Sequence, residues 1–201
     1  MKLLLATRNR DKIREIKDLF NELDVEILTL DSFPDVPEVE EDGETLEQNA
    51  FKKAKVVNEA TGIISVADDT GLEVDYLNGQ PGVYSSRFAG ENATYDDNVN
   101  KLLASLDGVP EEKRTARFRC VISIIGNDIN EYVEGSCLGF ILTEKRGSQG
   151  FGYDPVFYVP KYKQTFSQMP LSLKNQVSHR GLALKQAKSV IERILKNQKL
   201  T

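Results

Sequence analysis

The chain has 201 residues, of which 40% are hydrophobic and 28% charged, and its formal net charge is −5. That size suffices for a buried core in one large domain or two packed lobes, and the composition is that of a globular protein. The acidic balance argues against coating DNA or RNA, which needs a basic footprint, and no apolar stretch approaches the length of a membrane span. Leu3-Leu4-Leu5 is too short for a signal peptide, and the two cysteines, Cys120 and Cys137, lack metal-ligand spacing. A cytoplasmic protein with free, buried thiols is the expectation, with neither nucleic acid nor membrane as partner.

The segment Lys2–Thr7 reads as a buried strand. It leads through Arg8-Asn9-Arg10-Asp11-Lys12 into an amphipathic helix with Ile13, Ile16, Leu19, Phe20 and Leu23 on one face. A strand, polar turn and helix start put free backbone N–H groups and a positive dipole end where an anion can sit. Thr7, Asn9 and Lys12 add donors, but the glycines of a Walker loop are missing. Residues 31–44 form an acidic loop carrying Glu38, Glu40, Glu41, Asp42 and Glu44. Thr45-Leu46-Glu47-Gln48 has the spacing of a capping box, so a helix starts there, with Leu46, Ala50, Ala54 and Val57 as its core stripe. Asn49 and Lys53, four apart, share another face.

The run Ile63-Ile64-Ser65-Val66-Ala67 reads as a buried strand ending at Asp68-Asp69, followed by a turn at Thr70-Gly71. Two acids there need a cationic partner, because an unpaired buried charge is costly. Asn78-Gly79 marks a turn, 80–90 a Gly/Ser-rich loop and Tyr95–Leu106 a helix. Arg117–Ile125 and Tyr132–Leu142 read as antiparallel strands, since the turn near Gly126-Asn127-Asp128 is too short for a crossover. In Arg146–Pro155, three glycines among aromatics leave two readings open: a purine stacked on Phe151 or Tyr153, or an aromatic turn packed under a strand. Ser178 precedes a long amphipathic helix as an N-cap, with His179 and Arg180 in its first turn. A cation is disfavoured at a helix N-terminus unless an anion or acceptor-rich ligand accompanies it.

Five motifs stand in one order: Thr7–Lys12, Ala67-Asp68-Asp69-Thr70-Gly71-Leu72, Pro81-Gly82-Val83-Tyr84-Ser85-Ser86-Arg87, Gly150-Phe151-Gly152-Tyr153-Asp154-Pro155 and Ser178-His179-Arg180. Together they resemble the inosine/xanthosine triphosphate pyrophosphatase family over essentially the whole chain. The resemblance implies a single α/β domain over 1–201, with a long mixed β-sheet flanked by helices and two lobes around a nucleotide cleft. It also implies a homodimer and Mg²⁺-dependent hydrolysis of ITP, dITP and XTP to the monophosphate and pyrophosphate. Carried onto matching positions, Glu41 and Asp69 hold the metal, and Asp69 takes a proton from the attacking water. Thr7, Arg8, Asn9, Arg10, Asp11 and Lys12 cradle the phosphates with Lys53 and Lys174, and Thr70 contacts substrate. Phe151, Gly152, Tyr153, Asp154, His179 and Arg180 hold the base. Arg8 stands where the family usually has a small residue, and Gln149 where it usually has glycine.

The chemistry of those residues agrees with this assignment. Mg²⁺ takes a few carboxylates plus waters and phosphate oxygens. Donors on His179 and Arg180 suit the position-6 acceptor of hypoxanthine and xanthine and leave adenine's amino group unpaired. The competing expectations are a Maf-like nucleotide pyrophosphatase and a nucleotide-binding regulatory module that does not hydrolyse.

Overall fold

A computed structural model describes residues 1–198. In chain order the strands are β1 (Lys2–Leu5), β2 (Glu26–Thr29), β3 (Ile64–Val74), β4 (Pro81–Gly82), β5 (Thr115–Gly126), β6 (Ile129–Ile141), β7 (Phe157–Val159) and β8 (Gln164–Thr165). The helices are α1 (Arg10–Leu19), α2 (Leu46–Thr61), α3 (Tyr95–Ser105), α4 (Leu171–Val177) and α5 (His179–Gln198). The strands form one mixed sheet in the order β2-β1-β3-β5-β6-β7-β8, with β4 on β3. β1 runs parallel to β2 and β3, whereas β4 on β3, β7 on β6 and β8 on β7 are antiparallel. Only Asn127 and Asp128 join β5 to β6, and so short a connection makes that pair a hairpin.

The chain divides into two compact units. Met1–Asp69, Cys120–Gly135 and the chain from Arg180 form the first; Thr70–Arg119 and Ser136–His179 form the second. In the first, strand alternation sorts the core onto two faces. Leu3, Leu5, Val66, Cys120, Ile122 and Ile124 pack with Ile16 and Phe20 of α1 and with Ala183, Leu184, Ala187 and Ile191 of α5. Leu4, Ala6, Ala67 and Ile125 pack instead with Ala54 and Val57 of α2. Leu3, Leu4 and Leu5 are all fully buried because this sheet region has helices on both sides. Each such side chain contributes about 1.5–3 kcal/mol of burial.

The second unit has one core, in which Leu72, Val74, Val99, Leu102, Phe118, Phe157 and Phe166 meet. Phe118 and Phe157 lie 4.7 Å apart, and Phe157 and Phe166 5.0 Å, within the range of favourable aromatic pairs. Gly139 is needed here for closeness, since a Cβ on it would sit 2.5 Å from the Tyr158 carbonyl oxygen.

The expected strand end at Asp68-Asp69 is corrected: both acids lie inside β3, which continues through Thr70 and Gly71 to Val74. Leu72 and Val74 are fully buried and prolong the apolar alternation, while Leu72 and Glu73 pair with Gly82 and Pro81 of β4. The reversal falls at Asn78 and Gly79, both with positive φ. α1 also ends before Leu23, with Phe20 as its C-cap.

Candidate active site

Because successive side chains on a strand point to opposite faces, Asp68 and Asp69 part company within β3. Asp68 shares its face with Val66 and meets α1 and α5; Asp69 shares its face with Ala67 and meets α2. The two acids are buried, at 2% and 5% exposure, so each must be balanced by nearby cations.

On the α2 face, the Lys53 ammonium donates to Glu41 Oε1 at 2.7 Å, the Asp68 carbonyl oxygen at 2.8 Å and Asp69 Oδ1 at 3.0 Å. Thr45 positions it: its side chain accepts from Gln48 N and starts α2, whose inward face carries Asn49, Ala50, Lys53 and Ala54. Asn49 Oδ1 accepts from Gly43 N, which ties the acidic loop to the helix two residues beyond Glu41. Of the loop acids Glu38, Glu40 and Glu41, only Glu41 is half-buried, and it alone reaches Lys53.

On the other face, Asp68 Oδ2 lies 3.1 Å from Lys12 Nζ and 3.2 Å from Arg180 Nε. Arg180 Nη1 donates at 2.7 Å to Glu15 Oε2. The loop after β1 delivers Lys12: Asn9 caps α1, its side chain accepting from Asp11 N and Lys12 N, while its own N–H donates to Thr7 Oγ1. Arg8 and Arg10 are exposed, and Arg8 reaches the Val36 carbonyl oxygen.

The charges divide unevenly between the acids. Burial pushes the Asp69 carboxyl up, against the lowering pull of Lys53 and Lys12. Burial works against Glu41 as well, but Lys53, by charge and hydrogen bond, brings it below its ordinary value. For Asp68, burial is outweighed by Lys12, Arg180 and Lys53, which hold it well below the usual carboxylate range. Four carboxylates (Glu15, Glu41, Asp68, Asp69) thus face three cations (Lys12, Lys53, Arg180) in one connected cluster. Asp69 Oδ2 is buried without a hydrogen-bond partner among the described residues. An acceptor so placed suits a cation.

The second unit holds the remaining predicted residues, apart from Arg180. Asp154 Oδ2 accepts from Phe151 N at 2.8 Å and from Lys174 Nζ at 2.7 Å, and Lys174 stands 4.8 Å from the centre of the Phe151 ring. Lys174, expected with the phosphate residues, is therefore a buried partner of the aromatic loop. Gly150 has φ +75°, and a Cβ there would come within 2.1 Å of Asp154 Oδ2, so the loop closes on the carboxylate only with glycine. Tyr153 is buried in the core, its hydroxyl donating to the Ser85 carbonyl oxygen at 2.9 Å, whereas Phe151 is half-buried. Of the two readings of this loop, Tyr153 follows the packed one. His179 is buried and stacks on Phe118, with ring centres 4.3 Å apart and planes 12° apart. Thr70 is half-buried on β3.

The sequence reading missed Glu15. Its neighbours at helical spacing, Asp11, Lys12, Asp18 and Leu19, are mostly charged, so no periodicity marked it as buried.

Fold and cluster define the class: an α/β protein with a mixed sheet and a buried acid–lysine–arginine network on a central strand. Comparison with known proteins gives the family. The Ham1 family profile matches residues 3–190, and the chain belongs to that family. It is 51% identical over 201 residues to a dITP/XTP pyrophosphatase of Desulforamulus reducens, covering 100% of both chains. It is 50% identical over 184 residues to a dITP/XTP pyrophosphatase of Geobacter sulfurreducens, covering 91% of this chain and 92% of that one. Among solved structures, a HAM1 protein from Coxiella burnetii superposes with a TM-score of 0.88 at 38% identity, covering 96% of this chain and 99% of the other.

Proposed function

We propose that this protein hydrolyses non-standard purine nucleoside triphosphates (ITP, dITP and XTP) to the monophosphate and pyrophosphate, removing them from the nucleotide pool. Family membership and full-length identity to proteins named for that activity support the substrate class. The observation that carries the chemistry is the Glu41–Lys53–Asp69 arrangement, in which one buried lysine holds two carboxylates together and leaves Asp69 Oδ2 unpartnered.

In this reading Glu41 and Asp69 hold Mg²⁺. Mg²⁺ takes a few carboxylates and completes its shell with water and phosphate oxygens. The bound ion would neutralise the triphosphate and acidify water. Asp69 accepts a proton from the water that attacks the α-phosphorus as the bond to pyrophosphate breaks. Thr7 to Lys12 face the phosphates with the α1 N-terminus, where backbone N–H groups and dipole favour an anion. Lys12 and Lys53 stabilise the negative charge that gathers on departing pyrophosphate. Thr70 contacts substrate next to the acids.

Phe151, Gly152, Asp154, Lys174, His179 and Arg180 serve the base, with Tyr153 fixing the loop from beneath. Arg180 is buried and charge-balanced by Asp68 and Glu15, which hold its guanidinium in place. We further propose that the whole chain works as one catalytic domain, that it forms a homodimer, and that it acts in the cytoplasm. Neither Cys120 nor Cys137 is in a disulfide, and no described helix is long and apolar enough to cross a membrane.

A substrate panel of ITP, XTP, dITP, ATP, GTP and dTTP, with and without Mg²⁺, tests this. Preference for the first three, dependent on Mg²⁺, is expected. Preference for dTTP favours the Maf-like alternative, and binding without turnover the regulatory one.

A further inference from the structure

α3 begins with a capping box. Thr94 caps it, its hydroxyl accepting from Asp97 N at 3.1 Å while Thr94 N donates to Asp97 Oδ2 at 2.9 Å. The next acid, Asp96, pairs with Lys145. Tyr95 sits between these anchors as the first helical residue. The residue is 45% exposed, yet its ring lies 5.7 Å from that of Phe151, with the planes tilted by 41°. Phe151 is otherwise gripped by Asp154 at its backbone nitrogen and by Lys174 near its ring.

We infer that Tyr95 is a positioning residue for the nucleobase: its phenol ring braces Phe151, so that the Phe151 ring is already oriented when a purine stacks on it. This rests on the proposed base-side role of Phe151. A first helical position has no need of a large aromatic, because propensity there favours proline, acids or small residues. A tilted pair at this separation is favourable beyond its buried area, and pre-orienting a stacking ring cuts the ordering cost of binding. The residues proposed for the phosphates, Thr7 to Lys12 and Lys53, belong to the first unit, so the effect is expected to follow the base.

The test is steady-state kinetics of Tyr95→Ala and Tyr95→Phe on ITP and XTP, with inorganic triphosphate as a base-free competitive inhibitor. Tyr95→Ala is expected to raise KM for both nucleotides about three- to tenfold. Its kcat stays within about twofold, as loss of uniform binding requires. Tyr95→Phe restores KM, and inhibition by triphosphate is unchanged. An unaltered KM, or triphosphate inhibition weakening in parallel, overturns the inference. Should the wild type release no pyrophosphate from ITP, the hydrolytic reading fails, and Tyr95 is judged by calorimetric titration with IMP. A weakening of about three- to tenfold in Tyr95→Ala then sustains it. Equal affinity, or no IMP binding by the wild type, overturns it.

Discussion

Replacing Lys53 with methionine removes the cation shared by Glu41, Asp69 and the Asp68 carbonyl. The side chains of Lys53 and Asp69 are only 10% and 7% exposed, so Asp69 loses a close counter-charge in a dry setting. Removing one partner of a buried pair costs about 3–5 kcal/mol. Two features pull the expected cost to the lower end: Glu41 is 30% exposed, and Asp69, its carboxyl already raised by burial, can take up a proton. At about 3 kcal/mol, and roughly 2–4 °C per kcal/mol for a chain of this size, Tm should fall by about 6–12 °C. On the proposed assignment of Glu41 and Asp69 as Mg²⁺ ligands, the ion would restore charge balance at these carboxylates and should stabilise the variant more than the wild type. Differential scanning calorimetry with and without Mg²⁺ reads both effects. A fall in Tm of less than about 2 °C, or one that Mg²⁺ leaves untouched, would refute the view that Lys53 neutralises the acids a metal also neutralises.

Three further outcomes follow from the same cluster and the loop across the chain. Asp69→Asn should cut ITP turnover by roughly a hundred- to ten-thousandfold while nucleotide binding remains measurable by titration; near-normal turnover removes Asp69 from the chemistry. Asp68 is held below the usual range, so the unfolded chain binds its proton first on acidification. Its contribution is therefore complete above about pH 4 and is lost as pH falls. Asp69 works with the opposite sign, its raised carboxyl favouring the folded state in acid. Urea unfolding from about pH 5 to about pH 3 should show a smaller loss of stability in Asp68→Asn than in the wild type, and equal losses contradict the assignment. In Gly150→Ala, a Cβ 2.1 Å from Asp154 Oδ2 at φ +75° must open the loop. KM for ITP should rise roughly tenfold, the order expected for one lost charge-assisted hydrogen bond, and an unchanged KM means the loop does not meet the base.

How far the sequence carried the fold depends on whether the deciding signal was local. Thr45 three residues before Gln48, Asn78-Gly79 and the short link after Gly126 each announced their element, because a cap or a turn is written in neighbouring residues. The length of β3 was not legible, because a pair of acids looks like a terminus until their partners on two helices are known. The partition of Asp68 and Asp69 follows from period 2 alone, yet which face meets Lys53 and which meets Arg180 is set by the order β2-β1-β3-β5. Glu15 and Arg180 are 165 positions apart, and no spacing rule could join them. Tyr153 was ambiguous for the reason that makes it useful: an aromatic with a hydroxyl can stack on a ligand or anchor a loop, and only its partner Ser85 decides.

On the proposed function, the Glu41–Lys53–Asp69 cluster serves hydrolysis of a non-standard purine triphosphate between its α- and β-phosphates. Phosphorus NMR of ITP incubated with the protein and Mg²⁺ tests it directly. IMP and pyrophosphate are the expected primary products. IDP with orthophosphate, or an unchanged spectrum, would contradict it.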